Sequence, residues 1–115
     1  MQPDYRYKAK ITKVVDGDTV DAIVNLGFTV SVNVRFRLYG IDTPELRSKD
    51  LDLKEKANEA KQFVIDRILD KDVVLISHKA DKYGRWLAEI VYEESTINQM
   101  LIDEGLAVAY FGGTK

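Results

Sequence analysis

Alternation of apolar and polar residues dominates the first forty positions. Tyr5, Tyr7, Ala9 and Ile11 interleave with Arg6, Lys8, Lys10 and Thr12. This period of two predicts a half-buried strand running to about Val15. Asp16-Gly17-Asp18 interrupts it as a turn. Val20, Ala22, Val24 and Leu26 then alternate with Asp21, Ile23 and Asn25, and Gly27 ends the second strand. A third strand is predicted from about Thr29 to Tyr39. Val30, Val32, Val34, Phe36 and Leu38 share one face; Ser31, Asn33, Arg35 and Arg37 share the other. Arg37 thus points away from the main apolar face.

The period changes after position 50. Leu53, Ala57, Ala60, Val64 and Ile68 recur at spacings of three and four, widened by Phe63, and predict a helix from about Leu53 to Leu69. Val73 to Ile76 is a short apolar strand, Tyr83-Gly84 a turn, and Trp86 to Tyr92 a fifth strand. Thr96-Ile97-Asn98-Gln99 has the form of a capping box, with Thr96 as N-cap and Gln99 reaching back, so a short helix follows. Gly105 stands where a helix-terminating glycine belongs. Five short strands with a helix between the third and fourth fit a mainly β fold with flanking helices, a five-stranded Greek-key barrel of the OB type. With 115 residues and no repeat or linker, the expectation is one domain over residues 1–115, ordered over about 5–110 with a loose tail at 111–115.

Composition narrows the chemistry. There is no cysteine and one histidine, His78. Disulfides, thiolate metal sites and cysteine nucleophiles are excluded, and zinc is disfavoured. A metal would be held by oxygen, as calcium, magnesium or manganese are. No apolar run approaches the ~18 residues of a membrane span, and Met1 to Tyr5 does not read as a signal peptide. The expectation is an intracellular protein with no membrane partner, secreted only if a leader has been removed. The formal net charge of −2 suits a soluble monomer and means that contact with a polyanion must come from local basic clusters.

Three polar motifs stand out, each with an ordinary alternative. Asp16-Gly17-Asp18-Thr19 is a common hairpin turn, in which glycine takes positive φ freely. Asp18, however, is surplus to a turn and suits a hard cation. Asp42-Thr43-Pro44-Glu45 is a turn after a strand, or else gives Asp42 to a metal and Glu45 to a water. Asp81-Lys82-Tyr83-Gly84-Arg85 is a charged turn, or else presents Arg85 to an anion. If Arg85 meets Arg37 across the barrel mouth, two like charges converge as they do around phosphate. Together the motifs supply the parts of a metal-dependent phosphodiesterase. His78 reads as a strand-end surface residue and Trp86 as a core or rim residue.

Val15-Asp16-Gly17-Asp18-Thr19-Val20, Phe36-Arg37-Leu38-Tyr39-Gly40-Ile41-Asp42-Thr43-Pro44-Glu45, Asp81-Lys82-Tyr83-Gly84-Arg85 and Gly105-Leu106-Ala107 resemble the staphylococcal nuclease-like (thermonuclease) family across about Tyr5 to Tyr110. The resemblance implies an OB-fold barrel and a calcium-dependent endo- or exonuclease that hydrolyses DNA and RNA, prefers single-stranded or frayed substrate and leaves 3′-phosphate ends. Residue by residue, Asp18 and Asp42 resemble the calcium carboxylates, and Thr43 resembles the residue lending its backbone carbonyl. Glu45 resembles the acid that orients or deprotonates water, and Arg37 and Arg85 the phosphate clamp. Lys82, Tyr83 and Tyr110 resemble nucleotide-contacting positions. The chain departs from the family in its slight acidity, in Phe111-Gly112-Gly113 where a second tyrosine is common, and in stopping short of a further C-terminal helix. The rival reading is a non-catalytic nucleic-acid- or protein-binding module of the same family. In such modules the metal acids or arginines are degraded; here they are intact.

Overall fold

The computed structural model describes residues 5–78, 80 and 84–110. The predicted alternation forms a meander of three long strands, β1 (Arg6–Asp16), β2 (Thr19–Gly27) and β3 (Val30–Leu38). Ala9 faces Val24 across β1 and β2, and Ala22 faces Val34 across β2 and β3. After β4 (Ile41–Asp42) and helix α1 (Leu51–Ile68), strand β5 (Asp72–His78) pairs antiparallel with β1. Strand β6 (Trp86–Tyr92) pairs antiparallel with β5 and parallel with β3, through Phe36–Trp86, Arg37–Leu87 and Leu38–Ala88. That last seam closes a five-stranded mixed barrel of the OB type. The two-residue β7 (Ser95–Thr96), helix α2 (Ile97–Asp103) and β8 (Val108–Ala109) complete the described chain, and β8 pairs with β4.

The core follows from the alternation. Ile11, Val20, Ala22, Leu38, Leu75, Ala88 and Ile90 fill the barrel. Ala60, Val64 and Ile68 of α1, with Ile97 and Leu101 of α2, close over it. Asp50 caps α1 by accepting from the Asp52 and Leu53 N–H groups, which meets orphan donors of the first turn. Thr96 caps α2 by accepting from Gln99 N–H at 3.0 Å. The box is half made, because the Gln99 side chain donates to Asp103 instead of reaching back. Gly105, at φ +73°, follows α2 as expected.

Two apolar expectations are corrected. Leu53 is exposed, and the buried stripe of α1 begins at Ala57, because the first helical turn lies off the barrel. Leu26, Val30 and Val32 share the face predicted for them yet remain 40–50% exposed. The β2–β3 hairpin is longer than the barrel it helps to form, so among the described residues its distal valines are only partly covered. Its loop residues Phe28 and Thr29 both sit at positive φ, 54° and 62°, a region that β-branched residues rarely occupy.

Candidate functional site

The site forms where the β1–β2 turn, the end of β3 and the β4 segment meet. Asp16 and Thr19 pair across the turn, and Thr19 pairs in turn with Arg37. Asp18 therefore lies beside the end of β3, where its carbonyl accepts from Leu38 N–H at 2.7 Å. The chain then reverses at Gly40, at φ +80°, and returns Asp42 over the end of β3. Arg37 answers by folding onto this return. Its Nη1 donates to the Ile41 carbonyl at 3.1 Å, and its Nη2 to Asp42 Oδ1 at 3.2 Å. Asp18 Oδ2 lies 3.5 Å from Nη1 of the same guanidinium. One arginine is thus flanked by two carboxylates. Arg37 does point off the apolar face, as the alternation implied, but its side chain is only 13% exposed.

Thr43 ties the segments together. It is buried, and its N–H donates to Asp18 Oδ2 at 3.2 Å. The other Asp18 oxygen accepts from the Thr19 hydroxyl. Gly17 corrects the reading of its turn, because it is not among the residues at positive φ. Glycine is required there by close approach. A Cβ at Gly17 would stand 2.7 Å from the Ala60 Cβ and 3.1 Å from Thr43 Oγ1. The missing side chain seats helix α1 and Thr43 against the turn that carries Asp18.

Burial first, and then the hydrogen bond and charge of the adjacent Asp16, push the Asp18 carboxyl up from 3.8 to about 6 against the downward pull of Arg37 and the Thr43 N–H. Asp16, which the sequence offered only as a turn residue, therefore adds to the upward shift of its neighbour. On the barrel exterior, Arg35 hydrogen-bonds Asp21 and holds that carboxyl below its ordinary value, apart from the site.

The donors fit a hard cation. They are all oxygen, and Asp18 is held in a buried acidic setting that a divalent ion would relieve. Among the described residues no three carboxylate or imidazole groups gather closely enough to ligate an ion by themselves. An ion held by Asp18 and Asp42 would complete its shell with a backbone carbonyl and water.

The remaining predicted residues are distributed as follows. Glu45 lies exposed two residues beyond Thr43, its carbonyl accepting from Ser48 N–H. Arg85 is exposed immediately before β6, two residues ahead of Leu87, which pairs with Arg37. The Tyr110 N–H donates to the Gly40 carbonyl at 2.8 Å, alongside the segment that carries Asp42. Lys82 and Tyr83, with Asp81 and the 111–115 tail, lie outside the described residues. His78 is a strand-end residue as expected, stacked on Tyr39 with centroids 3.9 Å apart and 3.1 Å from Glu89. Trp86 is a rim residue, about half exposed.

Asn98 was missed. It is buried, and its amide donates to the carbonyls of Tyr39 and Ala88 while its oxygen accepts from Ile90 N–H. It bolts α2 and β6 to the Tyr39–Gly40 reversal that delivers Asp42. In the sequence it is one polar residue inside a capping pattern, with nothing to mark it as buried.

The staphylococcal nuclease homologue family matches residues 35–115. Over 104 residues the chain is 33% identical to a thermonuclease of Staphylococcus hyicus, covering 89% of this chain and 59% of that protein. It is 33% identical to an uncharacterized protein of Methanocaldococcus jannaschii over 90% of this chain and 59% of that protein. An uncharacterized endonuclease of Haemophilus influenzae shares 31% identity over 88% of this chain and 51% of that protein. The chain thus spans a little over half the length of the curated relatives it matches.

Proposed function

The chain belongs to the staphylococcal nuclease homologue family, and from that premise we propose that it is a phosphodiesterase that hydrolyses DNA or RNA with calcium. The observation that carries this reading is the Asp18–Arg37–Asp42 cluster. Two acids for a hard ion and a cation for phosphate share one point, braced by Thr43. The nuclease names of two relatives support the same activity class.

In this reading Asp18, Asp42 and the Thr43 carbonyl hold the ion, which when bound neutralises charge at the phosphate. Arg37 keeps donors in reserve beyond those given to Ile41 and Asp42, because a guanidinium carries five N–H groups. It and Arg85 donate to the non-bridging oxygens as charge builds there. Glu45, exposed two residues beyond Thr43, orients the attacking water and accepts its proton. The water attacks phosphorus in line, the bond from phosphorus to the 5′ oxygen breaks, that oxygen takes a proton from solvent water to leave as a hydroxyl, and a 3′-phosphate end remains. Tyr110, with Lys82 and Tyr83, contacts the nucleotide.

The test is cleavage of heat-denatured DNA with added calcium or with EGTA. Cleavage is expected only with calcium. Arg37→Ala and Arg85→Ala are each expected to lower turnover by at least ~100-fold with the fold intact. Near-normal turnover in either variant would sink the clamp. Full activity of Glu45→Gln would remove the proton-accepting role and leave only positioning. Well-folded protein inert at millimolar calcium would replace the enzyme with a nucleic-acid-binding module.

A further inference from the structure

The β2–β3 hairpin projects past the barrel, and among the described residues most of its outer edge is unpaired. Strand β6 covers that edge only at Phe36, Arg37 and Leu38. Among the described residues, Val30 to Arg35 pair only with β2. Proteins usually guard such an edge with charge, proline or a bulge. This one reads Val30-Ser31-Val32-Asn33-Val34, with neither charge nor proline, and the register shift of the pair lies on β2, between Asn25 and Gly27, rather than on the edge strand. The apolar surface beside it is unusually open. Phe28 is 97% exposed, Val30 50%, Leu26 44% and Val32 40%.

The pattern of that edge is the same in both directions: apolar at 30, 32 and 34, polar at 31 and 33. Laid antiparallel on a copy of itself about Val32, it sets Val30 against Val34, Ser31 against Asn33, and Val32 against Val32. All valines then fall on one face and all polar side chains on the other. A strand register is specified by such matching, and self-matching about one point is the mark of a two-fold interface. The same register carries Phe28 to the level of the second copy's Phe36, whose ladder neighbour is the half-exposed Trp86. Arg35, the first charge on the edge, meets the uncharged Thr29, so no like charges are opposed.

We propose that this edge pairs with a second copy of the chain, making a two-fold dimer with one antiparallel sheet running through both hairpins. The area sets its strength. An exposed phenylalanine offers about 150–250 Å², and with Leu26, Val30 and Val32 each copy buries roughly 400 Å² of apolar surface. The total of roughly 800 Å² falls below the ~1,200–2,000 Å² of tight complexes, so the dimer is concentration-dependent. Val32 lies five residues along β3 from Arg37, about 17 Å, which leaves the catalytic cluster clear of the seam.

Sedimentation of the whole chain between about 1 µM and about 500 µM covers the range for a weak interface. The weight-average mass is expected to rise toward twice the monomer value. Val32→Lys sets two ammonium groups against each other on the two-fold axis, and is expected to remain monomeric throughout with unchanged far-UV circular dichroism. The chain has no cysteine, so Val32→Cys can form only an intermolecular disulfide. Mild oxidation is expected to cross-link it, whereas Val30→Cys, whose own mate lies four residues away along the ladder, is expected to cross-link far more slowly. Wild-type protein that stays monomeric at the highest concentration would overturn the proposal. So would a dimer that survives Val32→Lys, or cross-linking no faster at position 32 than at 30.

Discussion

Replacing Asp18 by asparagine is expected to stabilise the metal-free fold while abolishing the site. The Asp18 carboxyl is raised from 3.8 to about 6, chiefly by burial and then by Asp16. At about 1.4 kcal/mol per pH unit, ionising it in the folded state costs about 3 kcal/mol. The sign follows from the direction of the shift. With the folded value above the unfolded one, the contribution of Asp18 to stability is fully present below pH 3.8 and is lost as pH rises through about 6. Asparagine removes that loss but brings one oxygen where aspartate brings two. One of the bonds from Thr43 N–H and the Thr19 hydroxyl is forfeited, at about 1 kcal/mol. The net gain near pH 7.5 is therefore about 1–2 kcal/mol, falling to zero or reversing near pH 4. Urea unfolding in EGTA at both pH values measures it, with melting temperature moving about 4–8 °C per kcal/mol for a domain of this size. Added calcium is expected to stabilise wild type and not the variant. An Asp18→Asn protein no more stable than wild type at pH 7.5, or a difference that does not change with pH, would refute the reasoning.

Three further outcomes concern the packing behind the site and the backbone of the hairpin tip. Gly17→Ala puts a methyl 2.7 Å from the Ala60 Cβ and is expected to cost about 1–3 kcal/mol, read by urea unfolding; a cost near zero would mean that α1 is not seated on the turn. Asn98→Ala strands the buried Ile90 N–H and the Tyr39 and Ala88 carbonyls, and is expected to cost about 2–4 kcal/mol; a neutral result by the same measurement would deny it the role of bolt. Thr29→Gly relieves a β-branched residue at φ +62° and is expected to raise stability by about 1 kcal/mol, a gain that thermal melting at low protein concentration would detect.

The proposed dimer rests on a local gap in charge that the whole-chain value does not report. A net charge of −2 argues for a soluble monomer only if charge is spread evenly, and the β3 edge carries none between Val30 and Val34. The same gap between pattern and place governs the hairpin valines. Alternation put Val30, Val32 and Val34 on one face correctly, but alternation does not report where the barrel beneath them ends.

Local periodicity determined most of what is local. It located the five barrel strands and both helices to within a few residues, because a half-buried strand must alternate and a helix lying on a core must carry a stripe. The motifs named Asp18, Arg37, Asp42 and Glu45 because their side-chain chemistry is legible without coordinates, and the family resemblance alone named Thr43, for its backbone carbonyl. Tertiary structure alone decided how they act on one another. Closure of β6 on β3 set Leu87, two residues after Arg85, beside Arg37. The Gly40 reversal folded Asp42 back onto the guanidinium that Asp18 also faces. Helix α1 turned Gly17 from a flexible turn residue into a required gap, and burial beside Asp16 raised Asp18 well above an ordinary carboxylate. Each of these depends on contacts between residues far apart in the chain, and no periodicity of neighbours encodes such contacts.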